Sequence, residues 1–308
     1  MSPSPKRTSR AKAAIAKAAM YVAVSLLSIQ GAASVIEAQA IRAHPVVSGV
    51  DHIPVVVTDL DKAQADFRAM GFVIKAGRLH ADGIRNAHVK FRDGTEIELI
   101  TASKAVDALT SEYAAKMKTS EGPVYFGLFA PDFAAITAAS NLLPIKPQQD
   151  SGLFTFPPDS PLHPLFIGQR NKAANDKPEY FEHKNSAVRL SALWVQDSPE
   201  LREELKGLGA SLTPIDLCGF EGTAKGIRAA LPEGDLFLMP SKVTVVAARI
   251  EVRFLSDIEN ILRSNGIPMK VGEACDNKSL WVPPSTAHGI WVEFITRDSI
   301  ASHPKPPE

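Results

Sequence analysis

Apolar and polar positions recur along this chain in a unit of about sixty residues. Each unit opens with an apolar strand, meets an acidic residue, continues as an amphipathic helix and closes on a short strand. Val55-Val56-Val57-Thr58-Asp59 leads into a helix from Ala63 to Met70, and Val124 to Pro131 with Asp132 leads into Phe133 to Ser140. Leu190 to Gln196 with Asp197 precedes Pro199 to Leu208, and Ile250 to Ser256 with Asp257 precedes Ile258 to Ser264. The four aspartates stand where a side-chain oxygen can accept from free helix amides, so each is expected as an N-cap. Gly209 and Gly266, just past two of these helices, tolerate the positive φ that lets a chain turn back.

Strand parity sorts the first unit into faces. Ile53, Val55 and Val57 form one face with Ile97 and Leu99, which the helix should cover. His52, Pro54 and Val56 form the other, with Glu96, Glu98 and Ile100 from the closing strand and Asn86, His88 and Lys90 from the strand before it. Three strands thus turn polar groups toward one concave surface. An imidazole and a carboxylate converging there suit a borderline-hard divalent ion with positions left open for oxygen ligands.

Residues 170 to 178 are polar and lack apolar periodicity, which reads as a linker. The expected organisation is a leader over 1–40, one domain over 48–185, a second over 186–297, and a tail over 298–308. The leader rests on Lys6, Arg7, Arg10, Lys12 and Lys17, an apolar run from Ala18 to Ile29, and Ala38-Gln39-Ala40 as an A-x-A cleavage site. Ser25, Ser28, Gln30 and Ser34 interrupt the run before it could span a membrane. The expectation is therefore export to a periplasmic or secreted location by the general route, no twin-arginine pair being present, with no membrane span after cleavage. Cys218 and Cys275 are the two cysteines, and in an oxidising compartment they could pair.

Basic and acidic residues balance at 34 each across 308 residues, so nothing calls for nucleic acid. There is no G-x-S-x-G elbow, no Walker loop, no G-x-G-x-x-G after a strand and no H-E-x-x-H. What remains is a small-molecule substrate or ligand.

Gly49-Val50-Asp51-His52-Ile53-Pro54-Val55-Val56-Val57-Thr58-Asp59-Leu60, Gly71-Phe72 and Asp93-Gly94-Thr95-Glu96-Ile97-Glu98-Leu99-Ile100 resemble the βαβββ module of the vicinal oxygen chelate superfamily, and in particular its glyoxalase-like domain. The resemblance covers residues 49 to 187, and from 188 to 296 it rests on architecture. It implies an α+β fold of four βαβββ modules, paired into two domains with cupped mixed sheets, the plan of extradiol dioxygenases. It places a divalent metal at His52 and Glu98, with His183 as a further ligand and His163 as another substitute. Glu96 and His88 would support the ligands from behind or serve as a proton shuttle, and Lys90 and Tyr125 would meet the substrate. The activity implied is a metal-dependent lyase, isomerase or dioxygenase. The alternative is a metal-free binding or sequestering protein of the same fold. The sequence departs from the pattern in the partner modules. Tyr125, Leu190 and Ile250 stand where His52 stands in the first, and only Glu293 matches Glu98 on a closing strand. His288 and Glu293 are expected as fold residues.

Overall fold

The computed structural model describes residues 45–150, 152–170, 173–219, 222–272 and 278–296. The leader, Cys275 and the side chain of Cys218 lie outside the described residues. Those described belong to one compact unit starting at Pro45. Among them no helix is long and apolar enough to cross a membrane.

The first module comprises β1 (Gly49–Val50), β2 (His52–Val56), α1 (Leu60–Ala69), β3 (Lys75–Leu79), β4 (Ile84–Lys90) and β5 (Glu96–Ala102). Asp59 caps α1 by accepting from the Lys62 amide at 2.9 Å. Leu60, Ala63 and Phe67 form the buried stripe of α1. It covers the sheet face carrying Ile53, Val55, Val57, Ile97 and Leu99, all essentially inaccessible. An inserted helix, α2 (Ala108–Thr119), follows, held at its start by a reciprocal Asp107–Thr110 capping box.

The second module has β6 (Gly122–Pro123), β7 (Phe126–Phe129), α3 (Phe133–Ala139), β8 (Gln148–Asp150), β9 (Leu153–Thr155) and β10 (Leu165–Gly168). Asp132 caps α3 through the Ala134 amide at 2.8 Å. The two modules exchange strands: β6 joins the first sheet, ordered β3-β4-β5-β2-β6, and β1 joins the second, ordered β1-β7-β10-β9-β8. In each the opening strand lies parallel to the closing one, β2 with β5 and β7 with β10. The chain therefore passes from one sheet to the other at Asp51.

The third module is β11 (Ala187–Gln196), α4 (Pro199–Gly207), β12 (Ser211–Gly219), β13 (Gly222–Leu231) and β14 (Gly234–Met239). The fourth is β15 (Val245–Val252), α5 (Leu255–Ser264), β16 (Lys270–Gly272), β17 (Ser279–Val282) and β18 (Trp291–Thr296). The same parallel closure appears as β11 with β14 and β15 with β18. An antiparallel β11–β15 contact fuses both into one 8-stranded sheet. The α+β fold of four βαβββ modules with mixed sheets is thus present.

Two expected caps are corrected. Ser198, not Asp197, caps α4 by accepting from the Leu201 amide at 3.1 Å, while Asp197 pairs with Arg202. Helix α5 starts at Leu255, three residues ahead of the expected Ile258, so Asp257 lies inside its first turn. The reason is tertiary. The Arg253 amide donates to Ser186 O at 3.0 Å and the Phe254 amide to Ser186 Oγ at 3.2 Å, which turns the chain before Asp257.

The linker is pinned rather than free. Arg170 donates to Val50 O at 3.0 Å and to Asp93 O at 3.2 Å, and also pairs with Glu233. Beyond it, Asp176 pairs with both Lys75 and Lys90.

Candidate functional site

Parallel pairing of β2 with β5 sets His52 beside Glu96 and Pro54 beside Glu98. Antiparallel pairing of β4 with β5 sets His88 beside Glu98 and Lys90 beside Glu96. Since partners in register share a face, His52, Glu96, Glu98, Asn86, His88 and Lys90 all look into one cup.

His52 Nδ1 donates to Asp51 Oδ2 at 3.0 Å, and its Nε2 lies 3.9 Å from Glu98 Oε2. Adjacent strand residues normally point to opposite faces. Asp51 reaches its neighbour because the strand breaks there between the two sheets. Asp51 itself is buried, and its amide donates to Gly127 O at 2.9 Å. Burial pulls the His52 pKa down, but the Asp51 hydrogen bond and the charges of Asp51, Glu98 and Glu96 outweigh it, and the net is about 9. His52 is an imidazolium at neutral pH. Both side chains remain partly accessible, 23% for His52 and 15% for Glu98. Asn86 Nδ2 donates to Glu98 Oε1 at 2.7 Å, which leaves Oε2 as the edge facing His52.

The expected proton shuttle is more deeply held. His88 Nδ1 donates to Glu96 Oε1 at 3.0 Å, and Lys90 Nζ lies 3.3 Å from Glu96 Oε2. Burial would raise the Glu96 pKa, but His88, His52 and Lys90 bring it down to about 2. So acidic a carboxylate is a weak general base near neutrality. Lys90, expected to meet substrate, is 2% exposed and held between Glu96 and Asp176.

His183, expected as a metal ligand, is corrected outright. Its Nδ1 accepts from the Val73 amide at 3.0 Å and its Nε2 donates to Lys90 O at 3.0 Å. Phe72 and Phe91 meet it edge-on. Burial lowers its pKa to about 4, so it is a neutral clip between backbone segments with no lone pair left for a metal.

The module-two half of the cup is different in kind. Gly127 stands five residues before its helix cap, as Pro54 does, and pairs with Phe166 as Pro54 pairs with Glu98. A phenyl ring therefore takes the register position of a second carboxylate. A Cβ on Gly127 would meet that ring at 2.3 Å, so glycine is required there. Phe166 lies against His52, the ring centroids 4.8 Å apart. Tyr125, at the His52 position, donates to Glu112 from α2 and lies 3.2 Å from His163 Nε2. Next to it, Tyr113 packs with Val56, Ile84, Ile100 and Ala102, so α2 closes the far end of the first cup. Glu112 and Asp51 were not singled out by sequence reasoning. Glu112 sits in an inserted helix with no motif.

Modules three and four fill their concave face. Trp194, Phe237, Trp281, Leu217, Ala192 and Ala247 form one buried cluster. Arg249 pairs with Glu293, Nε to Oε2 at 2.6 Å, and Trp194 Nε1 donates to the same carboxylate at 3.2 Å. The parallel register also sets Asp235 beside Ala192, a carboxylate position that the sequence did not reveal, and Arg228 neutralises it at 3.1 Å. Leu190 occupies the imidazole position of the third module as expected, whereas in the fourth the register puts Ala247 there and not the expected Ile250, a three-residue correction that follows from the early start of α5. His288 bridges Asp66 at 2.9 Å and Glu121 at 2.7 Å, tying the loop before β18 to the first module as a fold residue.

A family model described as a glyoxalase-like domain matches residues 50–209, just over half the chain. The chain belongs to that family. No curated protein matches the sequence. Among solved structures, the 2,3-dioxygenase LapB from Pseudomonas sp. KL28 is similar at 14% identity over 85% of this chain and 95% of that one, with a TM-score of 0.58. An extradiol ring-cleaving dioxygenase from B. fuscum is similar at 15% identity over 85% and 75%, with a TM-score of 0.59. A xylose isomerase-like TIM barrel/4-hydroxyphenylpyruvate dioxygenase fusion protein matches at 10% identity and a TM-score of 0.61 over 86% of this chain. The present chain spans 50% of that fusion protein. At such identities the likeness is one of fold, that of the vicinal oxygen chelate superfamily.

The fold family implies a divalent metal, and His52 with Glu98 is the pair to test. Asp51 orients His52 as a carboxylate orients a metal-bound imidazole. Against that, the module-two positions offer Phe166 and Tyr125 in place of two more donors. Among the described residues no three or more His, Cys, Asp or Glu are grouped to hold a metal ion. Two side chains beside a phenyl ring do not fit a resident ion at His52 and Glu98.

Proposed function

We propose that this glyoxalase-like protein binds a small, oxygen-rich molecule in the first cup, with His52 and Glu98 gripping it directly. The observation that carries the reading is the Asp51–His52–Glu98–Asn86 arrangement, part-exposed and faced by the Phe166 ring. The His52 imidazolium donates to a ligand oxygen, and Glu98 Oε2 accepts from a neighbouring hydroxyl. The Phe166 ring, its centroid 4.8 Å from that of His52, gives the site an apolar side for the rest of a compact body. Vicinal oxygens on a flat or short carbon frame match that set.

The pH dependence follows from His52. Its pKa is raised in the folded protein, so the gripping charge is full at neutrality and is lost as pH rises through about 9. Binding should weaken across that range.

A metal-assisted lyase, isomerase or dioxygenase is the second reading, supported by the glyoxalase-like family match and the fold likeness to dioxygenases rather than by a ligand set at His52 and Glu98. Dioxygenase chemistry in modules three and four has the least support, since Glu293 and Asp235 are each paired with an arginine and, among the described residues, no imidazole is paired with either.

The test is a thermal-shift screen with catechols, 2-hydroxy acids and 2-oxo acids, followed by titration calorimetry on the compounds that stabilise. Glu98→Gln and His52→Ala should each weaken binding at least tenfold, roughly the loss of one charge-assisted hydrogen bond. Trp291→Ala, in the 8-stranded sheet, should leave it unchanged. Retained affinity in both first-cup variants would remove the reading.

A further inference from the structure

Helix α2 is an insertion between the closing strand of the first module and the opening strand of the second. The Asp107–Thr110 capping box fixes its start. Tyr113 and Met117, four residues apart, lie on one face of it. Tyr113 is 4% exposed and packs on Val56, Ile84, Ile100 and Ala102. Met117 Sδ accepts from Thr101 Oγ1 at 3.4 Å. Glu112 accepts from the Tyr125 hydroxyl and lies 3.0 Å from His163 Nε2, which clasps the helix to the second module.

We infer that Tyr113 and Tyr125 form an end wall that limits the ligand of the first cup to a compact frame, one ring or a few carbons, an inference that rests on the grip proposed for His52 and Glu98. Val56 and Ile100 pair in register two residues beyond Pro54 and Glu98, on the same face. At about 3.3 Å per strand residue, the surface under Tyr113 lies roughly 7 Å along the sheet from Glu98. One aromatic ring fills such a span, and a second fused ring would meet Tyr113. The Glu98 charge reaches that far. Burial first, and then this carboxylate, push the Tyr113 hydroxyl well above its ordinary pKa.

The wall is stiff because each ring is backed by another. Tyr113 and Tyr125 meet edge-on with centroids 6.2 Å apart, and Tyr125 meets His163 in the same way at 5.4 Å. Neither tyrosine can swing aside unless the Glu112 clasp opens, and close-packed side chains yield little to an added group. Val56 and Ile100 would extend an apolar floor past Glu98, but Tyr113 covers both.

Full-length protein is titrated by calorimetry with two probe pairs, catechol with 2,3-dihydroxynaphthalene and lactate with 3-phenyllactate. The members of a pair share their vicinal oxygens and differ in length. In a pair that binds, wild type should hold the larger member at least about tenfold more weakly. Tyr113→Leu and Tyr125→Ala should each tighten the larger member at least about tenfold and change the smaller by less than about threefold. Tyr113→Phe keeps the ring and should keep the wild-type preference. Melting curves establish which variants are folded, and Tyr125 is only half-buried, so its truncation leaves the buried cluster in place. Equal binding of both members by wild type, or an unchanged preference in the folded Tyr113→Leu and Tyr125→Ala variants, overturns the end wall and leaves the His52–Glu98 grip standing. Failure of both smaller members to bind wild type overturns the grip and the wall together.

Discussion

His52 on β2 and His183 in the connection before β11 both contact the first module yet carry opposite charge states, because their partners differ. His52 faces three carboxylates and is held protonated, whereas His183 is enclosed by Phe72, Phe91 and two backbone groups and is held neutral. For His183 the folded pKa is about 4, below the ordinary 6.5. Its neutral form stabilises the fold fully above pH 6.5, and that contribution is lost as pH falls toward 4. The effect is at most on the order of 3 kcal/mol, from about 1.4 kcal/mol per pKa unit. A glutamine at this position can keep the donor and the acceptor without titrating. His183→Gln should therefore flatten the loss of stability between pH 6.5 and 4, measured by urea unfolding at a series of pH values. Parallel pH profiles for wild type and variant would contradict the assigned role.

Elements were legible where one periodicity dominated. The β2 strand, α1 and β5 follow from strict alternation and a clean apolar stripe, and so does the polar face that brings His52, Glu98, Asn86 and His88 together. Three features were not legible. The break at Asp51 depends on strand exchange between two sheets. The early start of α5 depends on Ser186, nearly seventy residues away in sequence. The position of Glu112 depends on where an inserted helix docks. A local pattern carries none of these, since each is set by long-range contact. The cap assignments are open to direct test. Ser198→Ala removes the acceptor for the Leu201 amide and should cost about 1 kcal/mol. Asp257→Ala removes a first-turn charge from α5 and should cost only a few tenths. Equal losses in chemical denaturation would restore Asp257 to a capping role.

Across the whole molecule, four copies of one module have diverged into two kinds of concave face. In modules three and four, Arg249–Glu293 and Arg228–Asp235 pair inside a tryptophan-rich interior. Truncating Arg249 would strand the buried Glu293 carboxylate, whereas the Arg228–Asp235 pair is only half-buried. In modules one and two His52 and His88 face carboxylates and remain part-exposed, and the proposal that a ligand binds in the first cup rests on that asymmetry. Crystallographic fragment screening tests this most directly, with crystals soaked in small catechols, 2-hydroxy acids and 2-oxo acids near neutral pH. Density for bound fragments is expected between His52 and Glu98, beside the Phe166 ring. Fragments gathered instead against Trp291 and Lys270 of the 8-stranded sheet, with the His52–Glu98 space empty in every soak, would contradict that placement.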